Sequence, residues 1–376
     1  VTGTTATVAP STATGRGPQD RGHRGRGTSR RARAVLGSVL LGFLVRRAII
    51  TVVLLVGVTL VSFLLIQAVP GDTMSATLSE QALQDPEIVA AYRERWGLDQ
   101  PLYVQYLVYM RNLLQGDLGV SQQTGRPVLD DLLTYVPATL ELALPAMVLS
   151  LVIGVAVGLY AAVKHDRLGD HAVRAGTLVG LSTPPFWLAL VVLYVFFFLL
   201  GVSPSGGRLS TWIVPPEQVT GSVVLDAALE GRWDVAWDAV QHTALPILVL
   251  TVLTVAMLVR FVRSAMLEVL DADYVRAARA KGLPGSRVLT AHVLRAGMVP
   301  VITVSGLAFA SLLSGTVLVE QIFSWPGVGQ YAYRSATALD LPAVLGVSLF
   351  VAVVYTAVNL VVDLAYGLID PRIRLS

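Results

Sequence analysis

An all-α protein that crosses a membrane six times is the fold class predicted here, on three observations. Hydrophobic residues make up 54% of the chain and charged residues only 14%, whereas a soluble domain carries about 25% charged residues. Apolar runs of membrane-spanning length recur, separated by polar segments. Lys and Arg are concentrated in alternate segments. Cysteine is absent, which removes disulfides and thiolate metal sites from consideration.

Residues 1–34 are rich in Thr, Ser, Gly and Arg, with Arg16, Arg21, Arg24, Arg26, Arg30, Arg31 and Arg33 among them. Few large apolar groups accompany them, so burial cannot offset the entropy of ordering, and a disordered basic tail on the cytoplasmic side is expected. Its arginines suit anionic lipid headgroups. The segment lacks the aromatics that stack on bases, so no nucleic acid is expected as a partner. Residues 35–376 form the membrane domain.

Span one is placed at 48–69, about 33 Å at 1.5 Å per residue, enough for a hydrocarbon core of about 30 Å. Pro70-Gly71-Asp72 breaks it. A polar stretch follows to Pro137; 83–96 has amphipathic helical character, and Gly116 to Ser121 reads as loop. The remaining spans are placed at 138–163, 175–200, 244–264, 298–319 and 343–366. Gly154, Gly158, Gly306 and Gly315 lie where small residues let helices approach, and Pro184-Pro185 is a place to bend.

Orientation follows from the cations. With the N-terminus inside, segments 1–47, 164–174, 260–296 and 372–374 hold 9, 3, 7 and 2 Lys or Arg. The outer segments 70–137, 201–241 and 321–341 hold 4, 2 and 1. Such a bias places both termini in the cytoplasm.

The most structured of the inner segments is the polar island 271–297. Asp271 or Asp273 is suited to cap a short helix. Gly282 stops it, and Pro284-Gly285 keeps it from resuming. Ser286 then suits the cap of a second short helix. On the first helix Tyr274, Ala277, Ala278 and Lys281 recur at helical spacing and share a face, while Arg276 and Arg279 share another. Two alanines beside a tyrosine form a low-relief surface that a partner's groove can approach, with arginines at its rim. An ordinary basic cytoplasmic loop has similar properties.

Tyr274-Val-Arg-Ala-Ala-Arg-Ala-Lys-Gly282, with His292-Val-Leu-Arg295 and Pro300, resembles the EAA loop of ABC importer permeases, in the version of the dipeptide/oligopeptide/nickel branch. Arg276 stands where the general pattern has Glu, His292 where it has Ile, and Arg295 where it has Pro. Over residues 40–376, Arg46-Arg47, Pro70-Gly71-Asp72, Gly116-Asp117-Leu118-Gly119 with Ser121, Pro137-Ala138-Thr139-Leu140-Glu141, Phe323-Ser324-Trp325-Pro326-Gly327-Val328-Gly329 and Asp370-Pro371-Arg372 are similar to the same branch. The resemblance implies a type I importer permease fold in a bacterial inner membrane. It also implies that Tyr274, Arg276, Ala277, Ala278, Arg279, Lys281 and Gly282 couple the chain to an ATPase. The implied partners are a second permease of the family, two ATPase subunits and an extracytoplasmic substrate-binding protein. Peptides are the implied cargo, with nickel or another small solute as the alternative.

ATP chemistry within the chain is excluded. A phosphate-binding loop needs Lys followed by Ser or Thr, and the two lysines, Lys164 and Lys281, precede His165 and Gly282. No cofactor is expected in this chain, with ATP and magnesium held by partner subunits. The five histidines lack ligand spacing, and no zinc-hydrolase or serine-hydrolase motif is present. His165 and His171 beside Asp166 and Asp170 read as a solvated turn. Glu141 and Glu320, near the outer ends of spans two and five, are candidates for an outward vestibule or for groups satisfied by water at the interface. Asp363 is expected to pair with an inner arginine. Ser305, Ser311, Ser314 and Thr316 give span five a candidate pore-lining character. An ion-coupled secondary transporter would need charges at mid-depth and inverted repeats, and a scaffold would not need the docking loop.

Overall fold

The computed structural model describes residues 27–68 and 80–369. Their regular structure is helical, apart from a lone antiparallel bridge between Val120 and Pro127. In chain order the helices are α1 (Gly27–Ala68), α2 (Glu80–Leu83), α3 (Pro86–Trp96), α4 (Leu102–Leu114), α5 (Val128–Val163), α6 (Leu168–Ser182) and α7 (Pro185–Leu193), which runs on as a π-helical turn, Tyr194–Leu199. They continue with α8 (Val223–Leu229), α9 (Trp233–Leu270), α10 (Asp273–Ala280), α11 (Gly285–Val288), a π-helical turn Leu289–Leu294, α12 (Arg295–Ile322), α13 (Val328–Thr337) and α14 (Leu341–Ile369).

Among the described residues, five stretches are long and apolar enough to cross a membrane: Val45–Leu65, Val128–Val163, Trp233–Leu270, Gly285–Ile322 and Leu341–Ala365. The sixth differs from the continuous span expected at 175–200. It is a broken pair, Leu168–Ser182 and Pro185–Leu199, bent by 100°. The cause is local: the residue before a proline is pushed out of the helical region, Thr183 and Pro184 are both extended, and Pro185 restarts the helix at its first turn.

Spans two and four were expected at 138–163 and 244–264, yet their helices begin at Val128 and Trp233. At 38 residues, α9 is about 57 Å long, so part of it projects beyond the membrane as a polar extension packed on α8. Helix α1 begins at Gly27, inside the expected tail, because Arg and Ala are good helix formers that extend an apolar helix at little cost; residues 1–26 lie outside the described residues, as do Pro70-Gly71-Asp72 and Asp370-Pro371-Arg372.

Helices α5 and α9 form the centre. A Cβ on Gly154 would come within 2.8 Å of Leu258, and one on Gly158 within 2.7 Å of Val262; only glycine allows this approach. Over its most apolar window α9 is 56% buried, against 17% for the spans of α1 and α14, so those two lie at the periphery of the bundle. Helix α12 packs on α9 and α5, α14 on α12, and α1 on α14. Gly306 carries the α12–α14 contact against Val362, whereas Gly315 meets open space instead of a neighbour. Helix α4 is tied to α1 through Thr59 and Tyr106 hydroxyls at 3.0 Å, Gln67 and Gln105 at 2.8 Å, and Phe63 packed edge-on to Tyr106.

Candidate functional site

The short helix α10 is amphipathic and lies at one end of the bundle. Val275 and Ala278 are buried with Val262, Met266, Val288 and Val293, so the helix is seated on the end of α9 and on α11 and the π turn that leads into α12. Tyr274, Arg276, Ala277, Arg279 and Lys281 are exposed. The face drawn from spacing is thereby corrected: Tyr274, Ala277 and Lys281 look outward, whereas Ala278 is only 7% exposed and belongs to the core. The inward stripe is set by Val275, whose burial takes Ala278, three residues on, with it.

Its ends differ from expectation in part. Neither Asp271 nor Asp273 caps it. Asp271 closes α9, and Ala272 holds the cap position with no side-chain bond. Asp273 sits in the first turn, where its charge favours the helix N-terminus, and pairs with Arg276. At the other end Gly282 has φ 77°. Its N–H donates to Arg279 O at 2.9 Å, and that of Leu283 to Ala278 O at 3.4 Å, the left-handed closure expected of it. The second short helix is not separate. It runs from Gly285 through the π turn into α12, with Ser286 inside rather than at a cap. Pro284 occupies the cap position, so only Leu283 and Pro284 separate the Gly282 turn from α11.

Beside α10, the turn after α5 is clamped to α9. Arg263 Nε donates to Asp170 Oδ1 at 2.6 Å and Nη2 to Oδ2 at 2.7 Å. The N–H of Asp166 donates to Asp170 Oδ2 at 3.1 Å. His165, Asp166 and Asp170 do cluster, but both Asp170 oxygens are engaged by Arg263, so the group is an internal ion pair with an exposed His165–Asp166 contact at its edge.

At the opposite end, two motifs far apart in sequence form one structure. Glu320 Oε1 accepts from Thr139 Oγ1 at 2.7 Å, and Oε2 from the Gln330 N–H at 2.9 Å. Thr139 Oγ1 in turn accepts from the Val328 N–H at 2.8 Å, and Trp325 Nε1 donates to Ala138 O at 2.9 Å. The loop 323–329 wraps so closely that a Cβ on Gly327 would lie 2.4 Å from the Glu320 carboxyl. Glu141 accepts from Arg208 Nη2 at 2.5 Å, Ser222 Oγ at 2.7 Å and the Val224 N–H at 3.0 Å. Both carboxylates are buried within the chain, Glu320 fully. Both are enclosed by protein donors, because a carboxylate at this depth is stable only when paired or hydrogen-bonded.

Nearby, Asp340 accepts from Ser121 Oγ at 2.5 Å and the Gln123 N–H at 3.1 Å. Asp131 accepts from Thr124 Oγ1 at 2.6 Å and Tyr331 Oη at 3.1 Å. Burial pushes the Tyr331 phenol well above its usual range, and the charge of Asp131 adds to this. Asp226 anchors the loop before α8, accepting from Thr220 N and Oγ1, both at 2.7 Å, and from the Gly221 N–H at 3.1 Å. Burial alone would raise its carboxyl, but these donors outweigh it and hold it below the ordinary value.

The hydroxyls of α12 divide. Ser311 and Ser314 lie on an exposed stripe with Leu307 and Leu318. Ser305 donates to Val301 O at 2.7 Å, and Thr316, buried, to Leu313 O at 2.7 Å. Thr316 therefore faces the core rather than a pore. Asp363 pairs with Arg47 at 3.0 Å. Sequence reasoning missed Arg208, Arg263, Asp131 and Asp340. The available signal was that each is a charge close to an apolar run, where a partner is obligatory.

A six-span bundle with a short amphipathic helix displayed at one end defines a membrane-embedded transport component. The chain belongs to the family described as binding-protein-dependent transport system inner membrane component, whose model matches residues 154–375; the family's N-terminal model matches 40–143. It is accordingly a multi-pass protein of a bacterial inner membrane. It is 47% identical over 322 residues to the probable D,D-dipeptide transport system permease protein DdpB of Escherichia coli K12, covering 86% of this chain and 94% of the relative. To the di/tripeptide transport system permease protein DppB of Pseudomonas aeruginosa it is 44% identical over 335 residues, 89% and 99% of the two chains. To the oligopeptide transport system permease protein AppB of Bacillus subtilis it is 36% identical over 337 residues, 88% and 99%.

Proposed function

We propose that this chain is the permease subunit of an ATP-driven importer of di- or oligopeptides, forming half of the translocation pathway. The observation that carries the mechanism is α10, seated by Val275 and Ala278 and presenting Tyr274, Arg276, Ala277, Arg279 and Lys281 to solvent. Relatives at 36 to 47% identity, all with peptide transport in their names, support the cargo.

The Lys and Arg bias supports an orientation with both termini and α10 in the cytoplasm. Two ATPase subunits, holding ATP and magnesium, engage α10 here and on a second permease. An extracytoplasmic binding protein delivers peptide to the opposite end. When the ATPases close, α10 moves with α9 and α12 as a rigid lever, since Gly282 to Gly285 is a tight, closed turn and α11 is continuous with α12. Beyond Leu307, towards the Leu318 end of α12, the exposed Ser311 and Ser314 face the pathway or the second permease.

The test is ATP-dependent uptake of a labelled dipeptide into vesicles holding the assembled transporter, with unlabelled dipeptide and Ni²⁺ as competitors. Parent uptake is suppressed by dipeptide and not by Ni²⁺. Gly282→Pro, which cannot adopt φ 77°, abolishes uptake with membrane insertion intact. Normal uptake in that variant overturns the coupling role, and suppression by Ni²⁺ alone overturns the cargo.

A further inference from the structure

Helices α1, α12 and α14 enclose a groove of about 340 Å³ between them, within the range of about 300 to 1,000 Å³ typical of small-molecule sites. At its mouth stand Arg47 and Asp363, 3.0 Å apart and only 25% and 26% exposed. Arg47 directly precedes the apolar run 48–69, and Asp363 lies three residues before the end of the apolar run 343–366. The pair therefore lies at headgroup level, and the groove runs inward from it.

Its floor is chemically mixed. Ile50, Leu54, Leu307 and Val362 are apolar, while Thr303 and Asn359 are polar at membrane depth. Asn359 is half-buried at this groove. A polar group left facing hydrocarbon is costly, so such a groove favours an occupant with polar atoms near its entrance. Arg47 Nε lies 3.0 Å from Asp363 Oδ2. A guanidinium carries five N–H donors in the planar geometry that recognises phosphate, more than one carboxylate takes up.

We propose that this groove is a binding site for a phospholipid with an ammonium-bearing zwitterionic headgroup, phosphatidylethanolamine. Arg47 takes the phosphate, Asp363 the primary ammonium, Asn359 and Thr303 the glycerol ester oxygens, and an acyl chain lies along Leu54 and Leu307. The complementarity is specific. Phosphatidylglycerol offers the phosphate and neutral hydroxyls but no cation to pair with Asp363, and phosphatidylcholine replaces the ammonium hydrogens with methyl groups that cannot donate. Because α12 continues directly from α11, a lipid held here stiffens the helix that leads to α10.

The experiment is native mass spectrometry of the delipidated, detergent-solubilised full chain titrated with each of the three lipids. The parent retains phosphatidylethanolamine at least threefold more than either of the others. Asp363→Asn erases that preference while keeping phosphate-dependent binding, and Arg47→Gln lowers binding of all three. Arg46→Gln, at a cation that does not line the groove, changes nothing. Leu307→Trp fills the groove without touching the ion pair and abolishes retention, which keeps the proposal testable if Asp363→Asn fails to fold. Equal retention of the three lipids by the parent, or an unchanged preference in Asp363→Asn, overturns the proposal. So does a photo-crosslinker at Leu307 that captures a second protein chain in membranes instead of lipid.

Discussion

Thr139 and Glu320, separated by 181 positions, share a buried 2.7 Å hydrogen bond, and the same threonine oxygen accepts the Val328 N–H at 2.8 Å. One hydroxyl thus joins α5, the end of α12 and the start of α13. Thr139→Val leaves both Glu320 Oε1 and the Val328 N–H without that partner. Each buried polar group so orphaned costs about 1 to 3 kcal/mol, so a clear drop in thermal unfolding midpoint in detergent is expected. Combined with Glu320→Leu, which leaves no acceptor for the Thr139 hydroxyl, the loss is less than additive, because the two substitutions remove the same bond. Full additivity would separate the two residues energetically.

Asp170 and Arg263 make the corresponding brace at the α10 end. Arg263→Ala leaves a fully buried carboxylate unpaired, which costs about 3 to 5 kcal/mol. Replacing both partners, Asp170→Leu with Arg263→Met, removes the charge together with its desolvation cost and recovers most of that stability. Urea or thermal unfolding of the three proteins checks the order. A double variant as unstable as Arg263→Ala would mean that the pair has a role beyond mutual neutralisation.

Asp226 gives the loop before α8 an acid-sensitive anchor. Its carboxyl is held below the ordinary 3.8 by the Thr220 and Gly221 donors, against the opposing effect of burial. A group depressed in the folded state contributes its full stability above the unfolded pKa and loses it as pH falls through the lower folded value. Pepsin cleavage within 201–222 is therefore slow at pH 5 and accelerates once the pH drops below the ordinary carboxylate value. Asp226→Asn is cleaved readily at both. Equal protection of the variant at pH 5 would remove Asp226 as the anchor.

The six apolar runs and the helix ended by Gly282 were legible in the sequence because hydropathy and glycine chemistry act locally. The tie from Ala138 and Thr139 to Trp325 and Val328 was not. Both motifs stood out separately, yet nothing local says that they meet. The bend at Thr183 and Pro184 was readable as a break but not as a 100° turn, since proline fixes where a helix stops and tertiary packing fixes where it goes. Arg263 likewise read as one more inner cation, although its partner Asp170 had been assigned to a solvated turn.

The inward turn of Ala278 and the outward turn of Ala277 separate docking from folding, although the two residues are neighbours. A tryptophan at 278 must displace side chains around Val275 and Met266, and overpacking of this kind costs about 1 to 3 kcal/mol. Ala278→Trp therefore lowers the unfolding midpoint whether or not a partner is present. A tryptophan at 277 projects into solvent, so Ala277→Trp melts like the parent but blocks a groove that must approach α10 closely. In a pull-down from detergent, the parent retains an ATPase, and Ala277→Trp loses it while keeping its second permease. If Ala277→Trp still retains the ATPase, the partner grips another surface, and the arginines at 276 and 279 become the next pair to reverse in charge.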